Sequence, residues 1–203
     1  MIAVIDYNMG NLQSVQNAFL KIGKKIDIIK DSDKLKKYDK IILPGVGAFG
    51  DAMIHLKKAD MDQAIKEAAN SGKFILGICL GMQLLLSKSE EFGDHEGLDL
   101  IKGEVKKFDK TKFDTPLKVP HMGWNEIFIQ KDTPLFKDLA DEFYLYFVHS
   151  YHVECEKQYI TGITKYGYDF VSAINKDNIF GLQPHPEKSH DIGLKILKNF
   201  TEI

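Results

Sequence analysis

The chain has 203 residues, enough for one domain with a sizeable core or at most two small ones. Hydrophobic residues make up 44% and charged residues 28%, and the formal net charge of -2 gives no electrostatic reason to expect nucleic acid or an anionic membrane as partner. The basic residues are all lysine, so any anion site must use Lys point charges, backbone N–H groups or histidines instead of bidentate guanidinium forks.

Taken in chain order, residues 2–6 (IAVID) predict a short strand, followed by a turn at Asn8-Met9-Gly10. Leu12, Val15, Phe19 and Ile22 recur at helical spacing, and Gly23 ends that helix. Residues 26–29 predict a second strand and 39–43 a third, stopped by Pro44-Gly45. Residues 51–70 carry one helical pattern with Ala64, Ile65, Ala68 and Ala69 on its apolar side, and Gly72 stops it. Residues 74–78 predict a fourth strand, and 80–88 a helix. Strands separated by helices argue for a parallel sheet covered on both faces.

The second half changes character. The segments 103–108, 124–130, 142–154, 159–167 and 170–183 are rich in β-branched and aromatic residues, with short turn-like links such as Lys176-Asp177-Asn178. They predict antiparallel additions to the sheet. A last amphipathic helix is predicted from about Asp191 to Phe200, with Ile192, Ile196, Leu197 and Phe200 facing inward. With no repeat, low-complexity tract or linker, residues 1–203 read as a single α/β domain: a mostly parallel central sheet flanked by helices, extended by antiparallel strands.

Two cysteines, Cys79 and Cys155, could form one disulfide. The start MIAVIDY has no basic region followed by a long apolar stretch, and no apolar run approaches the ~18 residues of a membrane span. The expectation is a cytoplasmic protein with reduced thiols.

Three motifs carry chemistry. Gly77-Ile78-Cys79-Leu80-Gly81 lies at the end of an apolar strand and opens a helix, the G-x-C-x-G spacing of a nucleophile elbow. A cysteine there meets the positive end of the helix dipole and several free N–H groups, which favour thiolate. Buried structural cysteines are also common, so the pentapeptide alone leaves both readings open. In Gln183-Pro184-His185-Pro186-Glu187, two prolines hold His185 extended, with Glu187 able to fix its tautomer. A solvated surface turn would carry the same residues. Pro44-Gly45-Val46-Gly47-Ala48-Phe49-Gly50 is a glycine-rich loop whose N–H groups could bind phosphate or an oxyanion, and it lacks the Lys-Ser/Thr of a nucleotide loop. Nucleophile, base with orienter, and backbone-donor loop together are the parts for acyl transfer through a thioester.

GICLGMQ with a downstream HPE resembles the class I, triad-type glutamine amidotransferases. IDYNMGNLQSV, LPGVGAFGDAM, KVPHMGWNEI, YFVHSYHVE and QPHPEKS extend the resemblance over nearly the whole chain, to the branch that serves as glutaminase subunits of imidazole glycerol phosphate synthases. The resemblance implies that Cys79 attacks the glutamine amide, His185 handles the proton and Glu187 orients it. It implies oxyanion donation by the Val46 and Leu80 N–H groups in the Val46-Gly47 loop and the elbow, and glutamine binding by Gln83, Ser150 and Tyr151. Ammonia would pass to a separate (β/α)8 cyclase subunit in a heterodimer, in histidine biosynthesis. His121, Trp124, Tyr146 and Lys188 match positions near that partner. As residues alone, Trp124 could equally be a core aromatic, Tyr146 an ordinary strand residue and Lys188 a solvated lysine. His149 and His152 read as structural.

The chain departs from the family pattern at Pro184, commonly Phe, which puts the geometry of His185 in question. It departs also at His190, where a neutral polar residue is usual, and in GLDLIKGEV. The competing expectations are a paralogous amidotransferase feeding ammonia to another synthase, such as a surface-sugar amination partner, an inactive scaffold, and a cysteine hydrolase on peptides or esters. No cofactor is expected. A metal site is disfavoured because Cys79 and Cys155 form no close pair and His149 and His152, three apart on a strand, would point to opposite faces.

Overall fold

The computed structural model describes residues 1–203. Strand β1 (Ile2–Ile5), helix α1 (Leu12–Lys21), β2 (Asp27–Ile29), β3 (Lys40–Gly45), α2 (Phe49–Lys58), α3 (Met61–Asn70), β4 (Phe74–Cys79) and α4 (Leu80–Leu84) form the first half. β5 (Leu86–Ser89), β6 (His95–Glu96), β7 (Ile101–Lys107), β8 (His121–Ile129), β9 (Glu142–His149), β10 (Tyr151–Cys155), β11 (Ile160–Tyr166), β12 (Tyr168–Lys176) and β13 (Ile179–Leu182) follow, and α5 (His190–Glu202) closes the chain.

The main path of the sheet runs β2-β1-β3-β4-β13-β12-β10-β7-β5-β6, with β11, β8 and β9 branching from β12. The parallel part is buried on both faces. Along β1, β3 and β4 alternate residues divide between two cores: Ala3, Ile5, Ile41, Leu43 and Ile75 pack with α2 and α3, while Val4, Ile42, Leu76 and Ile78 pack with α1 and α5. This is the period-two consequence of strand geometry in a covered sheet. No helix is long and apolar enough to cross a membrane.

Several boundaries differ from the sequence expectation. The helical pattern over 51–70 divides into α2 and α3 because Asp60 turns left-handed, at φ +51°, a conformation a short polar side chain tolerates better than most. β3 continues through Pro44: its pairing with β1 ends at Ile42, so the missing proline N–H falls where no strand would receive it, while pairing with β4 continues to Gly45. The segment 80–88 is helical only to Leu84; Leu86–Ser89 then pairs with β6 and β7. Within the second half β13 is parallel to β4, at the centre of the sheet. The stretch 142–154 breaks at Ser150 into β9 and β10. Ile192, expected inward, is exposed, and Gly193 takes the buried position.

Candidate active site

β3 and β4 end side by side at the carboxyl edge of the sheet, with Gly45 paired to Cys79, the edge where open α/β sheets gather their sites. Cys79 has φ +55° and ψ -112°, a strained conformation of the kind that costs about 1–3 kcal/mol and persists only where surroundings enforce it. Two glycines allow the turn. A Cβ on Gly77 would stand 2.6 Å from the Gly81 carbonyl oxygen, and one on Gly81 would overlap the carbonyl of Leu43. α4 begins at Leu80, so the Leu80 N–H belongs to a first helical turn without intrahelical acceptors.

His185 arrives from β13. Its backbone is extended, as expected ahead of Pro186, and its N–H donates to the Tyr146 carbonyl on β9 at 2.8 Å. Ser189 Oγ donates to the His185 carbonyl at 2.6 Å and accepts the Tyr146 N–H at 2.9 Å. Pro184 does not disturb this placement. The chain steps from a bond on β12 (Gln183 N–H to Ser172 O, 2.9 Å) to one on β9, and the residue between needs no donor.

His185 Nδ1 lies 2.7 Å from Glu187 Oε1, and both side chains are 3% exposed. Its Nε2 is buried without another partner and is the nitrogen left for Cys79. Burial by itself would lower the His185 pKa, but the Cys79 sulfur and then Glu187 outweigh it and raise it to about 10. An ionised Cys79 sulfur and the Glu187 carboxylate both favour the protonated form of His185.

Val46, Gly47, Cys79, Leu80, Gln83, Ser150, Tyr151 and His185 line one cavity of about 250 Å³, with Glu187 behind His185. The expected site residues thus converge, with one discrepancy. The Val46 N–H does not face the cavity freely; it donates to the Met9 carbonyl at 3.3 Å. Leu80, in the first turn of α4, is the other expected oxyanion donor.

Sequence reading missed Glu91, Gln183, Val148 and the position of His149. Glu91 lines the cavity and accepts the Phe49 N–H at the start of α2, 2.7 Å away; burial pushes its carboxyl up while that bond pulls it down. A carboxylate in the run Ser-Glu-Glu-Phe-Gly looks like a solvated loop residue, and only the fold brings it to the pocket.

His121, expected near a partner surface, is buried, with its ring stacked on Tyr166 and Phe147. It belongs to a hydrogen-bond chain of fixed polarity. His149 Nδ1 faces the Tyr151 carbonyl at 2.7 Å and must donate to it. His149 Nε2 then accepts from His121 Nδ1 at 3.0 Å, and His121 Nε2 accepts from Asn125 Nδ2 at 3.2 Å. Burial holds His121 down at about 4, and burial and then His121 hold His149 well below the usual histidine range, so both rings are neutral. His149 and His152 do not point apart. The break at Ser150 lets both rings pack on Phe108, at 5.2 and 4.9 Å.

Trp124 is 47% exposed and not a core residue. Its ring stacks on His190 at 5.1 Å with 1° between planes and meets the edge of Tyr146, its cross-strand neighbour, at 6.2 Å. The unusual His190 therefore backs the exposed indole. Met122 and Tyr144 are exposed on the same strand pair, and Lys188 and Tyr146 are half-buried. Cys79 and Cys155 are both free; burial, then Glu156, pushes the Cys155 thiol up to about 11.

The family model for class-I glutamine amidotransferases matches residues 3–203. The chain is 66% identical to the imidazole glycerol phosphate synthase subunit HisH of Sulfurimonas denitrificans over 204 aligned positions, covering 100% of this chain and 98% of that one. It is 55% identical to HisH of Wolinella succinogenes and 50% identical to HisH of Methanocaldococcus jannaschii, each over the full length of both proteins. Among solved structures, PurLQS from Thermotoga maritima superposes with a TM-score of 0.76 at 21% identity, over 99% of this chain and 97% of that one, a likeness of fold.

Proposed function

The chain belongs to the class-I glutamine amidotransferases, as a HisH glutaminase subunit of imidazole glycerol phosphate synthase in histidine biosynthesis, and from that premise we propose how its residues perform the reaction. A cavity of about 250 Å³ lies below the ~300–1,000 Å³ usual for drug-sized ligands and suits a molecule the size of glutamine. Cys79 Sγ attacks the side-chain amide carbon, its proton passing to His185 Nε2. The His185 imidazolium gives its proton to the departing nitrogen, ammonia leaves, and a γ-glutamyl thioester remains on Cys79. Neutral His185 then takes a proton from water, whose oxygen attacks the thioester and releases glutamate. Glu187 keeps His185 turned with Nε2 toward the sulfur in both steps.

Leu80 N–H meets the oxyanion. Val46 becomes a second donor only when the Gly45–Val46 peptide turns away from the Met9 carbonyl, a rotation about ψ of Gly45 and φ of Val46 that the glycine at 45 eases. Gln83, the Ser150-Tyr151 backbone and the Glu91 carboxylate, which suits the substrate ammonium, hold the other end of glutamine. The exposed Met122, Trp124 and Tyr144 surface, with Tyr146 and Lys188 at its border, is where a (β/α)8 cyclase subunit docks and takes the ammonia.

The observation that carries the reading is the meeting of Cys79, Leu80, Gln83 and the 2.7 Å His185–Glu187 pair around one cavity. The test is glutamate release from glutamine by the purified chain, alone and with the cyclase subunit carrying its nucleotide ligand. Weak release alone, strong stimulation by the liganded partner, and none from Cys79→Ala are expected. No stimulation by a cyclase that works on free ammonia would point to a different acceptor. Full activity in folded Cys79→Ala would remove the nucleophile assignment.

A further inference from the structure

Gln183 has no part in the triad, yet it is completely buried and its amide Nε2 stands 3.8 Å from Cys79 Sγ. Amide nitrogen and oxygen are distinguished by their partners, and here the partners leave one solution. Gln83 faces the Tyr151 carbonyl at 3.1 Å, and a carbonyl only accepts, so the Gln83 atom there is Nε2. The same Nε2 donates its second hydrogen to Gln183 at 3.0 Å, so the Gln183 atom there is Oε1. Gln183 is thereby left with its NH₂ group turned to the sulfur. The Tyr151 carbonyl that starts this sequence is itself held by His149 Nδ1 at 2.7 Å, and His149 by His121.

An N–H aimed at a sulfur interacts more strongly with the anion than with the thiol, because a charged acceptor strengthens the bond. Gln183 is completely buried, and a hydrogen bond in such low-dielectric surroundings is stronger than one in water. We propose that Gln183 is a further catalytic residue, donating an amide N–H to the Cys79 sulfur, with Gln83 and the Tyr151 carbonyl as the positioning groups that keep its amide in the donor orientation. This rests on the reading of Cys79 as nucleophile. It gives a role to the first residue of the Gln-Pro-His-Pro-Glu motif, which the triad leaves unused.

The test uses the full chain and iodoacetamide as probe. Alkylation of Cys79 is followed by peptide mass analysis between about pH 5 and pH 10, with Cys155 as internal control. Gln183→Glu keeps an oxygen for Gln83 but sets a second oxygen against the sulfur; Gln183→Met has similar length and no donor. A hydrogen bond to a charged group is strong enough to move the Cys79 profile up by about one to two pH units when lost. The Cys155 profile stays in place. Glutamate release falls by roughly 10-fold to 100-fold in kcat, with KM little changed.

Thermal unfolding identifies which variant is folded, and either one suffices. A folded variant that loses activity with its Cys79 profile unmoved would assign Gln183 a packing role and overturn the proposal. Alkylation needs neither glutamine nor partner. Failure of the glutaminase reading would instead appear as an unmodified chain that releases no glutamate beside its liganded partner, whatever the alkylation profile does.

Discussion

Glu187 lies 2.7 Å from His185 Nδ1 and so decides which nitrogen faces Cys79. Replacing it by Gln should lower kcat by roughly 100-fold to 10,000-fold, with KM little changed, because the amide no longer stabilises an imidazolium or enforces one tautomer. Steady-state glutaminase kinetics with the partner present measure both quantities; an unchanged kcat would dismiss Glu187 as orienter. The candidates for the proposed triad stood out in the sequence because they sit in short local patterns, Cys79 between elbow glycines and His185 between prolines. Glu91 and Gln183 could not. One looks like a loop acid, the other like a strand terminus, and their relation to the cavity exists only after β4, β9 and β13 are assembled. Nor does any sequence pattern say that the Val46 N–H is spent on Met9. That is a peptide orientation, and the same residues fit either one.

Among the elements, the elbow joining β4 to α4 tolerates least. A methyl on Gly81 would overlap the Leu43 carbonyl, which is fixed in β3 between β1 and β4. Gly81→Ala should therefore destabilise the chain by more than about 3 kcal/mol, or prevent soluble expression. Gly72→Ala, where the added Cβ meets nothing within 4 Å but φ is +83°, should cost only about 1 kcal/mol. Urea unfolding of both variants compares them, and equal losses would contradict the packing account of the elbow. The alternation of strands and helices in the first half was visible because each strand is a short apolar run and each helix has period 3.6. Leu84, Leu85 and Leu86 are all buried, so that run holds no period to separate α4 from β5; pairing with β7 decides. The break at Asp60 was invisible for a related reason, since the apolar pattern of α3 continues that of α2.

At the scale of the molecule, the buried rings of His121 and His149 tie stability to acidity. An unfolded histidine binds its proton near 6.5, whereas folded His121 does so only near 4. Between those values the unfolded chain holds more protons, so stability falls as pH drops from about 6.5 to about 4. The slope is about 1.4 kcal/mol per pH unit for each proton excluded. Urea unfolding at pH 7, 6 and 5 should show this loss, and His121→Gln, though less stable at pH 7, should flatten it; parallel curves would refute the link. The same neutral chain leads from Asn125, beside Trp124, to the Tyr151 carbonyl at the cavity. Trp124 has one more consequence. It is the single indole of the chain, half open to water and coplanar with an imidazole 5.1 Å away. All tryptophan emission of this protein therefore originates from one spot on one face. Events there are written into the light it gives off, with no dye attached and no second fluorophore of that kind to subtract.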